Sequence, residues 1–318
     1  MPTHTELIDS LREHMHPIMP ENTMAEAGRK ALLPDFVSML EHEAGSRTGA
    51  DIEDVHDMRV ATRRMRSVLR LLSAYYKPKA IRPHLRGLRR VARVLGTVRD
   101  LDVLIDNLQQ YQKTLDEGAR AALQAVIEYF DHERQYARRD LDRTLDKSDY
   151  RRFTHEYAAW LTTERAARAS DSDDVHPSQV RHLLPSLIYE HLGVVRAYDA
   201  MIADGDAVTL HALRIEFKRL RYLVSMFSSV MGSSAKEFVS EIKTVQDHLG
   251  RMNDLHVAQD RLCELLPTLD AASAAVLDAY IDSLRAEEEQ LRVQTIDVWK
   301  RFNSKTVQRQ LATAIAAL

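Results

Sequence analysis

VHDMRVATRRMRSVLRLL, residues 55–72, aligns without a gap to LHALRIEFKRLRYLVSMF, residues 210–227. His56 falls on His211, Arg59 on Arg214, Arg63 on Lys218, Arg64 on Arg219 and Arg66 on Arg221, and the apolar positions agree. A second block follows in each half, LGTVRDLDV at 95–103 against LGRMNDLHV at 249–257. Two matched blocks in the same order and at nearly the same separation signify an internal duplication, with the halves related by a pseudo-twofold axis.

Outside these blocks the chain is rich in Ala, Leu, Glu, Arg and Gln, with only ten glycines and nine prolines in 318 residues. Its apolar residues recur mostly at three and four, without strand-like alternation, so an all-α fold is expected. Helices are expected at Glu6 to Met15, Met24 to Ala44, Ile52 to Tyr76, Ile81 to Leu95, Arg99 to Tyr111, Ala119 to Asp142 and Tyr150 to Ala169. The second half repeats the order at Val180 to Ala203, Val208 to Val230, Ala235 to His248, Met252 to Leu266 and Ala271 to Phe302. Residues 1–20 read as a leader closed by Pro17 and Pro20, and the polar, acidic segment 170–177 as a linker. The repeats are then 21–169 and 178–310 of one unit, 21–310.

Net charge is only −3, which argues against a general affinity for anionic surfaces. The average hides an asymmetry. Between His56 and Arg99, thirteen arginines and lysines face the single acid Asp57, a local charge of +12, while the remainder carries −15. A cationic patch inside an acidic protein has the character of a binding site. The single cysteine, Cys263, excludes an internal disulfide or a cysteine metal cluster. The first twenty residues lack an apolar block of signal-peptide length and no stretch has the length of a membrane span, so a cytoplasmic protein without membrane insertion is expected.

His56, Arg59, Arg63, Arg66 and Arg70 are spaced 3, 4, 3 and 4, which places them on one helix face. His211, Arg214, Lys218 and Arg221 repeat that register, and Arg82, Arg86, Arg89 and Arg93 repeat the rhythm on a further helix. Such spacing normally serves a packing seam, but these side chains are charged and repel one another, and few acids lie nearby in sequence. An external anion would relieve the repulsion, and guanidinium groups suit phosphate oxygens. The bland alternative is a set of wet helix faces, with some arginines paired to acidic helices elsewhere. His56 and His211 either cap and pack their helices or donate to the anion. Gly96 and Gly250 read as matched corners between helices, with Asp100 and Asp254 either favouring the next helix start or holding basic side chains in place. Arg99 has its charge in the first half only, since Asn253 takes the matching place.

These motifs resemble the CHAD family, the conserved histidine α-helical domain, over approximately Met24 to Phe302. The resemblance implies two four-helix bundles related by pseudo-twofold symmetry, with a basic central channel or cavity that binds inorganic polyphosphate. It further implies association with polyphosphate granules. Carried over by position, the binding set is His56, Arg59, Arg63, Arg66, His211, Arg214, Lys218 and Arg221. Arg64 and Arg219 lie near the pattern but point to the bundle side. Arg70 extends the first stripe, and Arg89, Arg93, Lys243 and Arg251 are secondary candidates. Departures from perfect duplication predict a lopsided site: Ser225 stands for Arg70 and Asp247 for Arg93.

The expected mechanism is therefore capture without chemistry, and no cofactor or metal is expected. A hydrolase of polyphosphate or triphosphate would need acids arranged around a divalent metal, and Asp57, Asp247 and Asp254 form no recognisable pattern. The pair His248 and His256 lacks a third ligand at metal spacing, and no phosphate-binding glycine loop or paired-histidine zinc motif occurs. RNA or single-stranded nucleic acid is the other rival, disfavoured because aromatic residues, 6% of the chain, are not interleaved with the basic stripes.

Overall fold

The computed structural model describes residues 4–164, 166, 178–202 and 205–318. Among them are twelve α-helices: α1 His4–Glu13, α2 Met24–Glu41, α3 Glu43–Thr48, α4 Ile52–Leu71, α5 Pro78–Gln112, α6 Glu117–Asp146, α7 Ser148–Thr162, α8 Val180–Arg196, α9 Ala207–Phe227, α10 Ser234–Leu265, α11 Ala271–Phe302 and α12 Lys305–Ile315. The all-α expectation holds. The sequence signals that start the helices are themselves duplicated. Asp51 accepts a hydrogen bond from Glu53 N–H to open α4, and Asp206 accepts one from Thr209 N–H to open α9. Asp116 and Asp270 cap α6 and α11 in the same way. An aspartate at this position satisfies amide donors that the first helical turn leaves free and meets the positive end of the helix dipole.

Two expectations fail together. Gly96 lies inside the single helix α5 and Gly250 inside the single helix α10, so neither glycine makes a corner. One glycine costs a helix about 1 kcal/mol, and the buried Leu95, Val98 and Leu101 around Gly96, like Leu249, Met252 and Leu255 around Gly250, outweigh that cost. Asp100 and Asp254 consequently sit mid-helix and start nothing. Smaller corrections follow from local chemistry. The expected helix from Met24 breaks at His42, α4 ends in a short 3-10 turn at Ser73–Tyr75, α7 stops at Thr162, and α8 gives way to a 3-10 turn at Asp199–Met201. The packed unit also extends past residue 310, because α12 buries Val307, Leu311 and Ala314 against α10. The expected linker 170–177 lies outside the described residues.

In the first half α2, α4, α5 and α7 pack in a ring, and α6 runs back along α5. Helices α8, α9, α10 and α12 occupy the matching places, with α11 alongside α10. Tyr157, Phe36, Phe153, Trp160 and Tyr76 form an aromatic core in the first half, and Phe217, Trp299, Phe302 and Phe238 one in the second. The leader helix α1 buries Ile8 and Leu11 against the first half. Among the described residues the halves are joined at several places. Helix α4 packs on α9, α6 packs on α11, and the entries to α2 and α8 are tied by backbone bonds from Met24 N–H to Ser178 O and from Val180 N–H to Asn22 O, both 2.9 Å.

Candidate functional site

Helix α4 turns Val55, Met58, Ala61, Met65, Val68 and Leu69 into the core, and that choice puts the basic stripe on the opposite face. Helix α9 does likewise with Leu210, Leu213, Phe217 and Leu220. Because α4 and α9 pack on each other, the stripes meet. Arg59, Arg63, Arg66 and Arg70 of α4 and Lys218 of α9 line a cavity of about 230 Å³, floored by Ser67 and by Ala92 and Gly96 of α5.

Electrostatics show how crowded these cations are. Partial burial, with the charges of Arg63, Arg214, Arg59 and Arg66, pushes the Lys218 ammonium down to about 7. Arg66 is lowered by burial and by Arg70 and Arg89, and Arg70 by burial, Arg89 and Arg219 of the other half. His56 is lowered chiefly by burial and secondarily by Arg99, so it favours the neutral form. Compensation within the protein is thin. Asp100 reaches Arg59 at 3.4 Å and Asp254 reaches Arg214 at 4.0 Å, so these acids hold the first arginine of each stripe. Nε of Arg63, Arg66 and Arg221 and Nδ1 of His56 are buried without a hydrogen-bond partner among the described residues. A buried donor left unmade costs free energy that an incoming acceptor recovers.

The remaining candidates divide. Arg64 turns away to Asp35 at 3.5 Å, and Arg219 pairs with Glu216 at 2.5 Å while staying close enough to Arg70 to repel it. Arg251 is held by two 2.6 Å bonds to Glu287, which neutralises it. His211 bonds Asn253 Oδ1 at 2.7 Å, so Asn253 serves the histidine where the first half has Arg99 beside His56. Arg89, Arg93 and Lys243 are exposed beside the stripes rather than lining the cavity. The basic residues thus divide by place: one set lines a cavity, and Arg64, Arg219 and Arg251 are paired with carboxylates.

Two small residues of the site, Ser67 and Ala92, were missed in reading the sequence, and a third, Gly96, was read as a corner. Ser67, Ala92 and Gly96 line the space that the arginines surround. In the duplicate register their places are taken by Tyr222, Gln246 and Gly250. The Tyr222 ring is buried under the Arg221 guanidinium, 5.2 Å from its centroid, and Gln246 Oε1 is buried too. Larger side chains therefore stand in the second half at the places of Ser67 and Ala92. The available signal was a small residue at each of 92 and 96, one turn apart and facing cations.

The sequence matches the CHAD domain over residues 30–263. The chain belongs to the CHAD family. Two uncharacterized proteins of Mycobacterium tuberculosis, MT2285 and Rv2226, are each 29% identical to this CHAD chain over 252 residues, 76% of its length. The match spans 45% of each of those proteins, so the chain accounts for under half of their length. The crystal structure of the CHAD domain from the plant Ricinus communis superposes with a TM-score of 0.66 at 23% identity, covering 96% of this chain and 95% of that one. PptA from Streptomyces chartreusis gives a TM-score of 0.67 at 14% identity, covering 87% and 99%. At those identities the two structures establish the CHAD fold alone. No helix among the described residues is long and apolar enough to cross a membrane.

Proposed function

We propose that this CHAD domain captures inorganic polyphosphate without chemistry, in the cationic cleft between α4 and α9. The observation that carries the reading is the convergence of Arg59, Arg63, Arg66, Arg70 and Lys218 on one cavity, with the buried Nε donors of Arg63 and Arg66 unsatisfied among the described residues. A linear phosphate polymer offers closely repeated oxygens to such donors, and the stripe from Arg59 to Arg70 extends about 16 Å along the helix. Binding of this kind would carry the protein to polyphosphate granules. Arg214, Arg221 and His211 extend the contact into the second half, and Arg89, Arg93 and Lys243 add long-range attraction from the rim. Arg251 and Arg64, each paired with a carboxylate, contribute least.

The test is an equilibrium titration with length-defined polyphosphate beside RNA and single-stranded DNA over a salt series, with phosphate release followed in magnesium and manganese. Polyphosphate is expected to bind tightest, with no orthophosphate or shortened chains appearing. RNA binding as tight as polyphosphate under matched salt rejects selectivity, and chain shortening rejects capture without chemistry. Arg63→Glu combined with Lys218→Glu is expected to weaken polyphosphate binding at least a hundredfold, about 3 kcal/mol, with helicity by circular dichroism unchanged. Unchanged affinity in the folded double variant moves the site elsewhere.

A further inference from the structure

Lys218 differs chemically from the other cations of the cleft. The four guanidinium groups around the cavity hold their protons at any physiological pH, whereas an amine becomes a nucleophile once it loses its own. Lys218 is the only lysine lining that cavity, and it enters from the opposite helix, facing Arg59, Arg63 and Arg66. The space left by Ser67, Ala92 and Gly96 gives room for a small group beside it. Acyl phosphates combine in one small molecule the two features this arrangement selects: a phosphate for the arginines and an electrophilic carbon a bond away from it.

We infer that Lys218 is a site of self-acylation by small acyl phosphates, whose phosphate docks on Arg59, Arg63 and Arg66 while the lysine amine takes the acyl group. The inference rests on the same anion-binding cleft as the proposed function, but on monomeric phosphate rather than the polymer. In the reaction the nitrogen lone pair adds to the acyl carbon. The bond from that carbon to the bridging oxygen then breaks, its electron pair leaves on the phosphate, and the nitrogen proton passes to water. The products are an Nε-acyl-lysine and inorganic phosphate, with nothing oxidised or reduced. Burial first, and then crowding by neighbouring cations, favours the free amine, the device by which buried lysines are made nucleophilic elsewhere. The docked arginines would also neutralise the departing phosphate. Acylation deletes the one cation that the second half contributes to the cavity, so it lowers affinity for a polyanion.

The full chain is incubated with acetyl phosphate at neutral pH and acetyl occupancy is followed at each lysine by peptide mass spectrometry. Lys218 is expected to react roughly tenfold faster than the exposed Lys236 and Lys300. Acetic anhydride, which carries no phosphate to dock, is expected to show at least a threefold smaller preference for Lys218. Reaction at Lys218 no faster than at Lys236 and Lys300 overturns the inference, and an undiminished preference with acetic anhydride overturns the docking role of the arginines. Polyphosphate binding is titrated on the same unmodified preparation. Binding without selective acylation removes this inference alone, and selective acylation without polyphosphate binding removes the polymer reading alone.

Discussion

At the scale of single residues, the cavity is lined by one group that titrates, Lys218, among guanidinium groups that do not. Burial, followed by the charges of Arg63, Arg214, Arg59 and Arg66, brings the Lys218 pKa to about 7. A bound polyanion stabilises the ammonium, so the bound-state pKa lies above that of the free protein and binding takes up a proton. Affinity is therefore full below pH 7 and falls as pH rises from 7 toward the bound-state pKa, by at most about tenfold per pH unit. Titrations with long-chain polyphosphate between pH 6 and 8.5 are expected to show that decline, and Lys218→Arg to flatten it. A decline that survives in Lys218→Arg assigns the proton to another group. The stripe itself was legible in the sequence, since a 3-4 rhythm of arginines already fixes a shared face. Pairing was not. Nothing near Arg251 in sequence announces Glu287, and nothing near Arg64 announces Asp35 except its position on a helix that packs alongside.

At the scale of elements, a glycine's meaning depends on what faces it, which sequence alone does not supply. Gly96 was readable as a turn, yet it lies in the middle of α5, where an added methyl would sit 4.0 Å from Arg59 Nε, an ordinary contact. Gly87, nine residues earlier in the same helix, has the Phe153 ring pressed against it, with no room for a methyl. Gly96→Ala is expected to raise stability by about 0.5–1 kcal/mol through helix propensity. Gly87→Ala is expected to lower it, because overpacking of about 1–3 kcal/mol exceeds that gain. Thermal unfolding of the two variants checks both signs. The hollow in the first half has a corresponding test. Ser67→Tyr with Ala92→Gln installs the second half's residues in the first, and is expected to reduce polyphosphate affinity at least tenfold with every cation retained. An unchanged affinity would show that the polymer rides the rim and never enters the cavity. The ends of α2, α4 and α7 shifted from their expected positions because helix termini depend on local caps and turns more than on periodicity.

For the whole molecule the duplication was the most readable feature, and it decided the fold. Aspartate caps, basic stripes and glycine-centred blocks recur in register, and packing α4 on α9 brings the two copies of the stripe together. What the repeat did not disclose is α12, whose alternation of buried Val307, Leu311 and Ala314 spans too few turns to be set apart from a polar tail. Six cations from the two halves, Arg59, Arg63, Arg66, Arg70, Arg214 and Lys218, surround or flank the cleft. Counterion release on binding a flexible phosphate polymer then predicts log affinity falling with log salt at a slope of about −4. A slope near zero across 50–300 mM salt, taken as a rough working range, would mean that the stripes are not the contact surface.

The cavity takes four of its five cations from α4 and one, Lys218, from α9, so the cleft is uneven. A polyphosphate thread reads the same from either terminus, so this unevenness cannot choose a direction; it chooses a length. Threads short enough to be seated wholly beside α4 gain all the strong contacts, and each added phosphate beyond that reaches α9 for a diminishing return. Affinity plotted against chain length should climb steeply and then bend, and the bend marks where the hollow ends.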